Sequence, residues 1–186
     1  MEIRPLKPMD LDGVREIDAT AESAQYLHIE RKGEGLSTSW SLSPRPLREK
    51  RTHRRALDDE QALALKQIAA GVEEGIALLA EHDGAAVAVA AARHDPTASV
   101  LRLLDLRVDF DFRRQGLASA LMFQIVQEAR RLETRAVMAN ANADNFPALQ
   151  FLAKLGFEPT GLDTHWRSNH DLVKESVVLF WYLTLD

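Results

Sequence analysis

The run Arg113-Arg114-Gln115-Gly116-Leu117-Ala118-Ser119 joins paired positive charge to small side chains at the point where an apolar stretch gives way to a helical pattern. Before it, Val100–Val108 reads as a strand. After it, Leu117, Ala120, Leu121, Ile125 and Ala129 recur at helical spacing over Gly116–Arg131. A strand that feeds a small-residue turn opening a helix is a ready anion site. The first helical N–H groups have no internal partner, and the helix dipole favours negative charge beside them. Bulk at Gly116 or Ala118 would hold a phosphate off those amides, while Arg113 and Arg114 add charge. Chemically the stretch asks for a pyrophosphate. It is not a P-loop, because no Lys-Ser/Thr pair follows the glycine, and it lacks the three spaced glycines of the dinucleotide fingerprint. A helix start that merely uses Gly and Arg is the other reading of the same residues.

Composition narrows the remaining chemistry. There is no cysteine, which excludes disulfides, zinc-thiolate centres, iron–sulfur clusters and a thiol nucleophile. The histidines, at 28, 53, 82, 94, 165 and 170, show neither i,i+4 pairing nor a carboxylate at ligand spacing, so no metal is expected. The charge of −5 argues against a nucleic-acid backbone as partner. The start has no apolar core behind a basic head, and the longest apolar stretch is Ala85–Ala92. A cytoplasmic protein without a membrane partner is the expectation. With 186 residues, 46% of them hydrophobic, the chain is long enough for one self-sufficient domain.

The elements that must position the turn follow from periodicity. Glu2–Leu6 reads as a short strand and Asp10 as the cap of a helix carrying Leu11, Val14, Ile17 and Ala21. Residues 22–56 read as irregular, with one strand at Leu36–Leu42. Beyond Ser43-Pro44-Arg45-Pro46, the basic run from Arg45 to Arg55 reads as a mobile, solvated loop, with phosphate or acidic-partner contact as its functional alternative. A helix is expected over Asp58–Glu74, with Leu63, Leu65, Ile68 and Val72 as its apolar positions. Ile76–Glu81 and Ala86–Ala92 form a hairpin about Asp83-Gly84. A strand at Arg135–Ala139, a helix at Phe146–Leu155 ended by Gly156, and strands near Glu158–Trp166 and Glu175–Thr184 complete the order. The class is α/β (α+β): a mixed sheet with helices.

In this context the motifs resemble the GNAT family of acetyl-CoA-dependent N-acetyltransferases. The family signature, (Gln/Arg)-x-x-Gly-x-(Gly/Ala) after a strand ending Leu-x-Val, is matched by Leu106-Arg107-Val108 followed by Arg113 to Ala118. A second family pattern is matched by Asn145, Ala148, Phe151 and Leu155-Gly156-Phe157. The resemblance runs over residues 57–186, is weak over 1–20, and does not reach 22–56. Gly161-Leu162-Asp163-Thr164, Ser168-Asn169 and Leu179-Phe180-Trp181-Tyr182 further resemble the end of the streptothricin acetyltransferase branch, although the last of these also suits a plain core strand.

The resemblance implies a mostly antiparallel sheet of six to seven strands flanked by about four helices, and acetyl-CoA as cosubstrate. Leu106 and Val108 would pair with its pantetheine arm. The amides of Arg114, Gln115, Gly116, Leu117, Ala118 and Ser119, with Arg113 beside them, would hold the pyrophosphate. Asn145 would contact the cofactor, or serve as a helix N-cap ahead of Phe146-Pro147. The implied reaction is direct attack of an amine on the thioester, which needs a base and an oxyanion donor. Asp105 is the candidate base, with Glu81 second, and the Val108 amide the candidate donor. A surface or ion-paired Asp105, held by Arg102 or Arg107, is the competing reading. Where many relatives carry a tyrosine that protonates the thiolate, this chain has Leu152; Tyr182 and Ser119 are the remaining hydroxyl candidates. The expected acceptor is a small amine, such as an aminoglycoside-like or streptothricin-like antibiotic. The alternatives are a protein lysine or N-terminal amine, or a CoA-binding sensor without turnover. Tyr26, His28 and Trp40 are candidates for substrate contact or packing, and the strand at Phe180–Leu183 for a homodimer contact or core.

Overall fold

The computed structural model describes residues 1–185. The fold is mixed α/β, with a seven-stranded, mostly antiparallel sheet, a separate two-stranded ribbon and four α-helices among the described residues. In chain order these are β1 (Glu2–Pro5), α1 (Leu11–Arg15), β2 (Ala21–Glu34), β3 (Ser37–His53), α2 (Asp59–Ala69), β4 (Gly75–His82), β5 (Ala85–Asp95), β6 (Val100–Val108), α3 (Leu117–Arg131), β7 (Ala136–Asn142), α4 (Phe146–Lys154), β8 (Glu158–Asp163) and β9 (Val178–Thr184). The chain divides into two compact units. Unit 1 holds Met1–Thr20, Arg54–Ala139 and the residues from Leu183, and unit 2 holds Ala21–His53 and Asn140–Tyr182.

In unit 1, β1, β4, β5 and β6 are antiparallel neighbours in that order, and β7 pairs parallel to the start of β6. Asp83 and Gly84 both adopt positive φ, at 51° and 79°, as a tight β4–β5 hairpin requires. The run Val87–Ala92 is buried throughout because helices cover both faces of β5. Val89 and Ala91 belong to a cluster with Leu6, Val14, Leu65 and Leu79, against α1 and α2. The alternate residues Ala88, Ala90 and Ala92 are equally buried, and α3 packs on β5 with Leu121, Met122, Ile125 and Ala129 buried. Asp58 caps α2, accepting from Gln61 N at 2.7 Å, with Gln61 Oε1 returning to Asp58 N.

β1 is fixed by charge. Arg4 is bidentate to Asp10 at 2.7 and 2.9 Å and also donates to Glu81 of β4. The Arg4 hydrogen bonds are the largest influence holding the Asp10 carboxyl below its ordinary value. The associated stability is therefore complete above the unfolded Asp value, about pH 4, and is lost as pH falls through the lower folded value. A melting-temperature profile should decline over that acid range, and Arg4→Met should remove this part of the decline. Equal acid profiles for both proteins would contradict the assignment.

Unit 2 departs most from the sequence expectation. Residues 22–56 are not an irregular segment ending in a mobile basic loop. β2 and β3 form a long antiparallel ribbon that carries Arg45 to Arg51 on a strand. Pro44 and Pro46 are tolerated because of their phase. Leu27, opposite Pro44, donates its N–H away from β3 to the Ala143 carbonyl at 2.8 Å, so the missing proline N–H also falls outside the ladder. Gln25 and Pro46, two residues along, share that phase. β8 and β9 pair antiparallel, and Ser23 Oγ accepts from Phe146 N at the start of α4.

Smaller corrections concern helix ends and faces. α1 closes at Arg15, and Ala21 begins β2. α2 closes at Ala69, leaving Val72 73% exposed; Leu63 is 55% exposed, and Ala62 faces the core in its place. Ala120 of α3 is exposed where Met122 is buried.

Candidate active site

β6 supplies an edge that opens partway along. Its parallel pairing with β7 ends at Arg102 opposite Met138, while its antiparallel pairing with β5 continues to Val108. A bulge leaves Leu104 as the extra residue, with Leu103 opposite Ala92 and Asp105 opposite Ala91. Asp109 N donates to Val87 O at 2.8 Å, which fixes the phase. Peptide groups of Arg107 face β5, and those of Leu106 and Val108 face away from it. Two arginines meet the outward carbonyls. Arg113 Nε donates to Val108 O at 3.1 Å, and Arg55 Nη1 to Leu106 O at 3.3 Å.

The edge leads into the turn singled out by the sequence. Asp109 anchors it, accepting from Asp18 N and Asp111 N at 3.0 and 3.1 Å. Arg114 and Gly116 both hold positive φ, at 63° and 84°. Such left-handed residues turn backbone N–H groups toward a common concavity. Gly116 is the N-cap position of α3 and no side chain caps it, so the N–H groups of the first turn are not satisfied by a capping side chain. A Cβ built on Gly116 meets no atom within 4 Å, so the space beside it is open. Arg114, Gln115, Gly116 and Ser119 are exposed, Arg113 and Ala118 half-buried, and Leu117 faces the core. These residues fit a diphosphate carried by an extended chain with amide donors.

Asp105 is only 3% exposed and Arg107 2%. Arg107 Nε and Nη2 donate to the two Asp105 oxygens at 2.6 and 3.1 Å. Arg107 Nη1 continues to the Arg55 carbonyl at 2.9 Å, and Arg55 Nη2 stands 3.9 Å from Asp105 Oδ1. The sequence alternatives for Asp105 included this ion pair, and Arg107 is the partner; Arg102 pairs with Asp95 instead. Both oxygens being occupied, Asp105 serves as the counter-ion that orients Arg107. Glu81 is likewise engaged by Arg4. Desolvation lowers the Arg55 guanidinium from its ordinary value, opposed by Asp105 and reinforced by Arg107 and Arg113. Nothing in the local spacing marked Arg55, which entered the sequence reading only as one member of a basic run.

Unit 2 carries Asn145 and Tyr182. Asn145 occupies the N-cap position of α4 without a side-chain capping bond, and Ser23 takes the Phe146 N–H instead. Tyr182 is half-buried on β9 and in register with Glu158. Nearby in sequence to Asn145, Asp144 is buried, with Arg51 Nη1 donating to Oδ2 at 3.2 Å and His53 Nε2 at 3.7 Å from the same atom. Arg51 Nη2 also donates to Glu175 at 2.7 Å, and Glu175 holds a φ of 59°. Tyr26 Oη lies 3.2 Å from His28 Nδ1; burial first, then the Glu175 carboxylate, push its hydroxyl above the ordinary phenol range. Trp40 and Leu42 of β3 and Pro159–Thr164, from β8 onward, line an open groove of about 520 Å³. Among the described residues no group of His, Cys, Asp or Glu side chains could hold a metal ion. No described helix is long and apolar enough to cross a membrane.

An open strand edge that runs into an uncapped helix start suits an extended ligand with an anionic end. The model of the acetyltransferase (GNAT) family matches residues 38–157, and the chain belongs to that family. Its fold is similar to that of a nourseothricin acetyltransferase, with 19% identity, a TM-score of 0.80, and coverage of 100% of this chain and 98% of that one. It is also similar to a Bacillus anthracis str. Ames protein described as a streptothricin acetyltransferase, solved with acetyl coenzyme A: 19% identity, TM-score 0.73, coverage 100% and 97%. The ribosomal-protein-S18-alanine N-acetyltransferase from Escherichia coli follows at 18% identity, TM-score 0.62, coverage 100% and 94%. No curated protein matches the sequence.

Proposed function

We propose that the protein transfers an acetyl group from acetyl-CoA to a primary amine, and that the acceptor is a cationic small molecule of the streptothricin or aminoglycoside kind. The observation that carries the first part is the outward-facing Leu106 and Val108 backbone leading directly into the uncapped turn at Gly116. The outward peptide groups suit the amides of a pantetheine arm, and the N–H groups of Arg114 to Ser119, with Arg113 beside them, suit its diphosphate. Acetyl-CoA, when bound, supplies a thioester as the acyl donor. The Val108 N–H faces the same way as its carbonyl and suits an amide carbonyl of the arm. On the family resemblance, Asn145, which makes no capping bond, is assigned to cofactor contact, and Tyr182 to protonation of the thiolate.

The acceptor reading rests on the two antibiotic acetyltransferases among the similar folds, and on the groove that joins Trp40 to the Gly161–Thr164 motif. An aromatic wall and the Asp163 carboxylate suit a cationic amine. A second reading, CoA binding without turnover, is favoured by Leu152, which is 4% exposed and brings no hydroxyl to α4. Thiol release from acetyl-CoA separates the two. Release on adding streptothricin, with none on adding lysyl peptides or alanine-terminal peptides, is the expected result. Release with the peptides alone would move the acceptor to a protein, and none with any amine would leave the binding reading.

A further inference from the structure

Resting on the acetyl-CoA reading, we infer that Arg55 is a catalytic residue that supplies the positive charge meeting the departing thiolate. The turn at Arg114–Ser119 anchors the anionic end of the donor, and β6 enters that turn from Val108. Moving back along the strand, Val108 comes first and Leu106 second, about 7 Å further on for two residues. Of the two arginines on this edge, Arg113 therefore sits at the diphosphate end and Arg55 at the far end. In coenzyme A the sulfur is the end of the arm opposite the diphosphate.

Around Arg55 stand Asp105, Arg107 and Arg113. Asp105 is bidentate to Arg107 at 2.6 and 3.1 Å, and Arg55 is 3.9 Å from it, so one carboxylate faces two guanidiniums and a positive charge is left over. The Arg55 guanidinium donates to Leu106 O at 3.3 Å, and Arg107 Nη1 fixes the Arg55 backbone carbonyl at 2.9 Å. Arg55 is 39% exposed at the open strand edge, and a cation in excess there favours an anion beside it. In acetyl transfer a carbon–nitrogen bond forms and the carbon–sulfur bond breaks. The sulfur keeps the electron pair, the amine's surplus proton passes to water, and Arg55 stays protonated throughout. A cation in this position lowers the demand for a proton donor, which matters in a chain with leucine at 152.

Bound CoA itself is the probe, so the acceptor need not be known. Its thiol is titrated by the ultraviolet absorbance of the thiolate, in complexes with the wild type and with Arg55→Ala, Arg55→Gln and Arg55→Lys. CoA affinity and melting temperature are measured alongside. In the wild-type complex the thiol should ionise about one unit below free CoA, a tenfold gain in thiolate. Arg55→Lys should keep most of that shift, and Arg55→Ala should abolish it. Arg55→Gln retains a donor for Leu106 O without the charge, so it should behave as Arg55→Ala does. If glutamine preserves the shift, Arg55 merely positions the strand and the inference fails. It fails equally if the shift is the same in all four proteins, or absent from the wild type while CoA still binds. Failure of the wild type to bind CoA is a different result, which removes the function reading as well.

Discussion

Asp105→Ala is expected to destabilise the fold by about 3–5 kcal/mol, because it strands the Arg107 guanidinium in the interior without its carboxylate. Denaturant unfolding at neutral pH would read this as a large drop in midpoint at unchanged slope. Replacing both partners, as Asp105→Leu with Arg107→Met, should recover much of the loss, since an apolar pair of similar volume needs no counter-ion. The experiment also decides what Asp105 does. A carboxylate with both oxygens on one guanidinium organises Arg107 and, through the Arg55 carbonyl, the segment that follows the ribbon. Should Asp105→Asn fold with wild-type stability yet lose turnover and flatten the low-pH limb of the rate profile, the carboxylate is the base of the reaction instead.

Gly116→Val should weaken CoA binding by at least about tenfold, or roughly 1.4 kcal/mol. Two effects converge at this residue. Its φ of 84° disfavours any β-branched side chain, and the space where the Cβ would project holds no protein atom. Gly116→Asn separates them, because asparagine accepts a left-handed backbone while still filling that space. Loss of affinity in both variants, at near-normal melting temperature for asparagine, places the diphosphate there. Wild-type affinity in the asparagine variant would remove the turn from the binding site.

The parts of the fold that read correctly from sequence are those whose determinants are local. Strand Val100–Val108, the Arg113–Ser119 turn and the helix behind it lie in a single stretch, with periodicity, glycine and charge in agreement. Asp83-Gly84 likewise announced its hairpin through a backbone preference. The β2–β3 ribbon did not, because two prolines and a run of cations argue against a strand. What admits them is pairing phase, visible only once Leu27 is seen to donate away from β3. Asp105 and Arg107 lie two apart on one strand face, so their pairing was within reach of the sequence, but Arg102 competed for it until Asp95 was seen to hold that arginine. Arg55 reaches Leu106 from a segment distant in sequence, and no local pattern records such a contact.

The central claim is that the β6 edge and the turn at Gly116 form a coenzyme A site, and calorimetric titration of the purified protein with acetyl-CoA tests it most directly, with ATP as the control polyanion. Saturable one-to-one binding of acetyl-CoA, at concentrations where ATP gives no heat, is the predicted result. Equal binding of both ligands would reduce the turn to a general phosphate site, and no binding of acetyl-CoA by the folded protein would contradict the account.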